Sequence, residues 1–270
     1  AHAVLISETF LGHEPFVMYL GDNLLNKGIT PFVEEFVRTN PAAQILLTRV
    51  PDPQMFGVAE LAAGQVVRLV EKPKQPQSDL ALVGVYMFGP EVFESARRIT
   101  PSHRNELEIT DAIQDLIDRG CLVRPHLVDG WWKDTGKLDD MLEANRLILD
   151  TLDRRVDGTV DGESRLEGKV VVEAGAQLIG SVVRGPAIIG ANAKIEHSYI
   201  GPFTSIMNDV EIRGSEIEHS IVLEGSILND LANRVIDSLI GRNVKIIRLP
   251  VKPSAYRFML GDNSEVGIRW

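Results

Sequence analysis

The residues Val17-Met18-Tyr19-Leu20 are followed at once by Gly21-Asp22-Asn23. A short apolar run closed by turn formers reads as a strand buried on both faces that ends in a tight turn. In open α/β sheets the functional crevice lies just beyond the carboxyl ends of the strands. A carboxylate at that point, Asp22, suits Mg²⁺, a hard cation that binds phosphate-bearing substrates through one or two carboxylates and keeps several waters. The competing reading is a plain turn, because Gly, Asp and Asn all favour turns.

The elements that would position Asp22 can be followed along the chain. A helix over residues 2–11 precedes the strand at 16–20. Thr30 caps a second helix with Pro31 at its first position, and Ala43 to Val50 is another buried strand. Gly57–Leu61 and Val66–Val70, separated by Ala63-Gly64, read as a hairpin closed by Glu71-Lys72-Pro73. Leu80 to Phe88 is a further strand. Helices follow at 91–99 and 109–119, and a last one over 137–152. Alternation of strands and helices indicates an α/β layer fold with a largely parallel sheet.

At 270 residues two domains are expected, 1–155 and 156–270. A net charge of −10 with no basic run argues against nucleic acid and anionic membranes as partners. The single cysteine, Cys121, cannot form an internal disulfide, so a reducing, cytoplasmic setting is expected. No stretch reaches 18 apolar residues and no signal-peptide pattern opens the chain. Residues 1–6 read as the interior of a helix without its cap.

Near residue 156 the texture changes. From Leu166 onward aliphatic residues recur at hexapeptide-like intervals, and Ser181, Ser198 and Ser215 stand in register with the pairs Ile189/Ile206 and Ile195/Ile212. A short fixed period with one apolar anchor per hexad is the signature of a three-sided β-solenoid, each coil burying its aliphatic side against the next.

Four segments now lie in chain order: Leu20-Gly21-Asp22-Asn23, Phe56-Gly57-Val58, Val70-Glu71-Lys72-Pro73 and Trp132-Lys133-Asp134-Thr135-Gly136. With a solenoid behind them they resemble the sugar-1-phosphate nucleotidyltransferases, and among these the long-form glucose-1-phosphate thymidylyltransferases, whose ending residues 255–267 also resemble. The resemblance implies a Rossmann-like nucleotidyltransferase domain followed by a left-handed parallel β-helix. It also implies dTTP and glucose 1-phosphate as substrates, Mg²⁺ as cofactor, and a homo-oligomer working in deoxysugar synthesis. By the same resemblance Asp22 and Asp134 match the family's metal aspartates, and Glu71 the residue that binds sugar hydroxyls. Lys72 matches the sugar-phosphate lysine and Gly57 the glycine that closes over the hexose. Trp131 and Trp132 read first as packing residues, with Trp132 the candidate to line the sugar pocket.

The family's Gly-rich phosphate loop and base-reading segment have no counterpart in these residues. The expectation is therefore an N-terminally truncated form, incomplete in its nucleotide half and inactive alone. Two rival classes stand beside the first: a bifunctional enzyme whose solenoid transfers acetyl groups with His197 or His219 as base, and a non-catalytic regulatory subunit. Within the nucleotidyltransferases, synthesis of UDP-glucose, ADP-glucose or GDP-mannose is the alternative. For both histidines, a polar turn position is the simpler account. Glu108 and Asp111 are read equally as surface or helix-start residues, or as neighbours of the sugar.

Overall fold

The computed structural model describes residues 1–248 and 264–267, so most of the 255–267 ending lies outside the described residues. Two compact units divide the chain, Ala1–Met141 and Leu142–Trp270.

The first unit contains, in chain order, α1 (His2–Leu11), β1 (Phe16–Tyr19), β2 (Asn23–Leu25), α2 (Thr30–Thr39), β3 (Ala43–Arg49), β4 (Gly57–Ala62), β5 (Gln65–Glu71), β6 (Leu80–Phe88), α3 (Glu91–Arg98), α4 (Ile109–Asp118), β7 (Val123–Leu127) and β8 (Trp132–Asp134). The uncharged run of β6 explains its place at the centre, since all nine of its residues are buried. Its side chains alternate between two apolar layers, as a strand period of two requires. Leu80, Leu82, Tyr86 and Phe88 pack with Val92 and Phe93 of α3 and Ile113 and Leu116 of α4. Val83, Val85 and Met87 pack with Phe32 and Phe36 of α2. α2 starts at Thr30 itself and has no side-chain cap bond, so Thr30 is not its cap.

The sheet order is β5-β4-β6-β3-β7, with β1 also on β6. Only the β3–β7 pair is parallel; β1–β6, β3–β6, β4–β5 and β4–β6 are antiparallel. The expected largely parallel sheet is thus corrected. A two-residue loop can join only antiparallel neighbours, and β4 turns into β5 through Ala63 and Gly64, both in the left-handed region with φ 49° and 77°. β6 then runs against both β3 and β4. β1 is corrected likewise. Among the described residues it pairs along one edge alone, with Val17 and Tyr19 exposed, so it is half-buried.

α5 (Leu138–Thr151) crosses the division between the units. From Leu142 onward it belongs with the second unit, where the Asn145 amide donates to the Phe203 carbonyl at 3.0 Å and accepts from the Ser205 hydroxyl at 2.6 Å. The rest of that unit is a three-sided solenoid of parallel ladders with six, five and six strands. Leu178, Ile195 and Ile212 stack in one ladder, Val183, Ile200 and Ile217 in the next, and Ile189, Ile206 and Val222 in the third. Together they form one buried core.

The serine spacing encodes a second ladder, of hydrogen bonds at a corner. The Ser198 amide donates to Ser181 Oγ at 3.1 Å, and the Ser215 amide to Ser198 Oγ at 3.2 Å. Ser198→Ala would leave the buried Ser215 N–H without its acceptor, a loss of about 1–3 kcal/mol in unfolding free energy. Urea denaturation checks this, and an unchanged midpoint would show the ladder to be dispensable. Among the described residues no helix is long and apolar enough to cross a membrane.

Candidate active site

One edge of β6 is shared between two partners. β1 covers Val85 to Phe88 and β4 reaches the edge at Ala81, which leaves Leu82–Gly84 between them. β1 ends and β4 begins beside this gap, and the gap is where the side chains of interest collect. The Leu20 amide donates to the Gly84 carbonyl at 2.8 Å. The Gly84 amide donates to Asn23 Oδ1 at 2.9 Å.

Asp22 and Asp134 are brought together by a small antiparallel ribbon in which β2 pairs with β8, Asn23 lying opposite Asp134 and Leu25 opposite Trp132. Past the ribbon, the Thr135 amide and hydroxyl both donate to the Asp22 carbonyl, at 2.7 and 2.9 Å. The Gly136 amide donates to Asp134 Oδ1 at 3.1 Å. These bonds fix the backbone under both carboxylates. Among the described residues no Lys, Arg or His forms an ion pair with either one. Among the described residues no group of three or more His, Cys, Asp and Glu side chains gathers to hold a metal ion; the donors here are two carboxylates, the oxygen type of which a hard cation such as Mg²⁺ takes one or two.

Across the gap, Gly57 of β4 lies opposite Glu71 of β5. A Cβ built on Gly57 would sit 2.7 Å from Thr110 Cγ2 and 3.1 Å from Glu71 Oε2, so only glycine lets these groups close in. Lys72 follows with φ 41°, a left-handed conformation held by its amide, which donates to the Phe56 carbonyl at 3.0 Å. Such strain in a non-glycine residue is retained only where its surroundings over-determine it. The Lys72 ammonium has no ion-pair partner among the described residues. Phe56 meets Trp132 edge-on at 5.3 Å, and the Trp132 indole N–H donates to Asn23 Oδ1 at 2.6 Å. Asp22, Asn23, Trp132, Phe56, Lys72, Gly57 and Glu71 therefore form one connected constellation, to which the ribbon adds Asp134.

Several members carry little sequence signal. Asn23 reads as a turn residue, yet it is the hub of the group. Thr110 donates to Glu71 Oε2 at 3.2 Å, and Arg104 lies 3.4 Å from Glu71 Oε1 and 3.5 Å from Glu108 Oε1. Glu108 is buried and accepts from the Ser102 hydroxyl at 2.7 Å, so it is no surface residue. The clue to this group was the charged, polar stretch from Arg104 to Asp111, whose partner Glu71 is distant in sequence.

Burial, and after it the neighbouring Glu108 carboxylate, push the Glu71 carboxyl above its ordinary 4.5; the Thr110 hydrogen bond, Lys72 and Arg104 pull the other way. A folded-state value above the unfolded one means that the native state holds the proton more tightly. Stability is therefore fully present below the unfolded value and falls as pH rises through the folded one. Glu71→Gln removes that slope. It should raise the melting temperature at pH 7 but not at pH 4, which thermal denaturation at the two pH values checks. Equal melting-temperature shifts at both pH values would contradict this.

On the second unit, a concavity of about 460 Å³ includes His197, Tyr199, Glu216 and Arg234 in its lining. Arg234 is already committed there to Glu216, Glu218 and the Tyr199 ring. His197 stands at the same solenoid corner as Gly180 and Gly214, all with positive φ, and His219 at another corner has φ 44°. Both histidines thus hold turn positions, with His219 Nδ1 bonded to Asp237 at 2.6 Å.

Comparison with known proteins finds the sequence model of a family described as nucleotidyl transferase matching residues 1–151. A glucose-1-phosphate thymidylyltransferase of Streptomyces griseus is 52% identical over 99% of this chain and 76% of its own length. One of Streptomyces antibioticus is 53% identical over 100% of this chain and 76% of its own. A crystal structure described as that of a glucose-1-phosphate thymidylyltransferase from Bacillus anthracis, with sucrose bound, superposes at a TM-score of 0.50 with 38% identity, covering 54% of this chain and 59% of that one.

Proposed function

Because the chain belongs to the nucleotidyl transferase family, we propose that it joins dTTP and glucose 1-phosphate to give dTDP-glucose and pyrophosphate. The observation that supports this best is the single constellation in which two carboxylates and one ammonium, all without ion-pair partners among the described residues, are linked through Trp132. That is the equipment for holding two phosphate-bearing substrates together.

In the reaction an oxygen of the sugar phosphate attacks the α-phosphorus of the nucleotide. The new P–O bond forms as the bond to the β-phosphate oxygen breaks, and pyrophosphate leaves with that electron pair. No nucleophilic side chain is needed, since positioning and charge stabilisation supply most of the catalysis. Asp22 and Asp134 are the residues that would hold Mg²⁺, whose charge offsets that developing on the nucleotide phosphates. Lys72 directs its ammonium at the sugar phosphate, as a point charge suited to that group. Glu71 accepts from sugar hydroxyls while Thr110 and Arg104 hold its carboxylate in place. Gly57 leaves room for the hexose to lie against backbone, and Trp132 walls the pocket. We assign the solenoid an assembly role in a homo-oligomer, because repeat stacks need their ends and flat faces covered.

The test of the chemistry uses glucose 1-phosphate carrying ¹⁸O in its phosphate, with dTTP and Mg²⁺. Mass spectrometry should find every label in dTDP-glucose and none in pyrophosphate. Label in pyrophosphate would mean that the sugar phosphate is not the nucleophile.

A further inference from the structure

Asn23 makes more directed contacts than a turn residue requires. It is 8% exposed, and its Oδ1 accepts from both the Gly84 amide at 2.9 Å and the Trp132 indole at 2.6 Å. Its Nδ2 donates to Asp22 Oδ1 at 2.9 Å. The two donors facing Oδ1 can only donate, so they settle which way the amide points. Nδ2 is thereby turned to Asp22, and this is the one hydrogen bond to the Asp22 side chain among the described residues. Close approach is possible because residue 84 is glycine; a Cβ there would lie 2.5 Å from Asn23 Nδ2.

We infer that Asn23 is a positioning residue that couples the cation carboxylate of Asp22 to the sugar-side indole of Trp132, so that seating at one subsite is felt at the other. An aspartate at 23 would set a carboxylate against a carboxylate, and a serine would lack the two-ended fork. When the indole N–H is withdrawn, Oδ1 loses one of its two anchors and the amide is freed to turn off Asp22. Coupling of this kind is reciprocal in free energy. The inference rests on the reading of Asp22 as a cation ligand and of Trp132 as a sugar-side residue.

The test is the binding of Mn²⁺ alone to the full-length protein, with free Mn²⁺ read by electron paramagnetic resonance and no turnover required. Asn23→Ala should raise the Mn²⁺ Kd about 10- to 100-fold, the usual effect of losing the partner that orients a metal ligand. Trp132→Phe keeps an aromatic ring, though a smaller one, but removes the indole N–H and its hydrogen bond, and should raise the Kd about three- to tenfold. Because both substitutions act through the same amide, Asn23→Ala/Trp132→Phe should bind no more weakly than Asn23→Ala alone. Unchanged affinity in Trp132→Phe, or additive losses in the double variant, would overturn the inference, and the first result is readable even if Asn23→Ala fails to fold. Asp22→Asn separates the two levels of the reading. If it binds Mn²⁺ like the parent, or if the parent binds none, the cation site itself is wrong. If it abolishes binding while the Asn23 and Trp132 variants bind normally, only the coupling is wrong.

Discussion

Asp22→Asn should lower the rate of pyrophosphate release about a thousandfold while leaving the melting temperature nearly unchanged. The two halves of this expectation have different origins. Asp22 contributes to the fold through its main-chain carbonyl, which takes both Thr135 donors, and asparagine keeps that carbonyl. The side chain is exposed, and surface substitutions away from special features are usually within about 0.5 kcal/mol. In the role proposed for Asp22, what is lost is a charge that would hold the cation on the nucleotide phosphates. Removing one preorganised group that stabilises transition-state charge costs about 10²–10³ in rate, and losing a metal ligand belongs at the upper end, about 4 kcal/mol. Asp134→Asn should behave alike, since its Oδ1 could still accept from Gly136. The loss should appear in kcat more than in the KM for sugar phosphate. A variant retaining a tenth of parental activity would remove Asp22 from the chemistry.

The second large effect is on stability. Ile195→Ala should destabilise the second unit by about 2–5 kcal/mol, lowering its calorimetric transition by roughly 10 °C. Ile195 is fully buried and sits between Leu178 and Ile212 in its ladder, so the lost methyl groups leave a hole that its neighbours can fill only by shifting whole coils. In a stacked array each coil rests on its neighbours alone, and a weakened interface therefore divides the stack. Lys194→Ala is the control, because that side chain points outward in the same strand and should cost less than about 0.5 kcal/mol. Equal effects at the two positions would mean that the solenoid core does not hold this unit together.

How far each feature could be read from sequence follows from how local its cause is. Ile195 and Ile212 are paired because a solenoid repeats one local pattern, so periodicity alone placed them in one ladder; the serine spacing gave the same register, but the hydrogen-bonded corner it builds depends on which amide each hydroxyl faces and is seen only in the structure. The even period slips further on, where Ile212 pairs with Leu228 and Leu228 with Ile246, because corner loops there change length. The sheet of the first unit is different. Which strand lies beside β6, and in which sense, depends on pairings between distant segments, and apolar runs such as Leu80–Phe88 carry no directional information. β1 looked buried from its composition, yet burial depends on what lies beyond its outer edge. Asp22, Gly57, Glu71, Lys72, Trp132 and Asp134 were legible because they sit in ordered short motifs. Asn23, Thr110 and Arg104 were not, since an amide, a hydroxyl and a guanidinium gain their meaning only from the atoms they face.

The most direct measurement of the central claim is pyrophosphate release by the purified full-length protein with Mg²⁺ and glucose 1-phosphate, run across dTTP, UTP, ATP and GTP with product identified by mass spectrometry. The expected product is dTDP-glucose, formed in step with pyrophosphate and with the highest kcat/KM of the four. A preference for another nucleotide would keep the site and change the substrate. No sugar nucleotide from any of them would mean that the protein does not catalyse nucleotidyl transfer to glucose 1-phosphate.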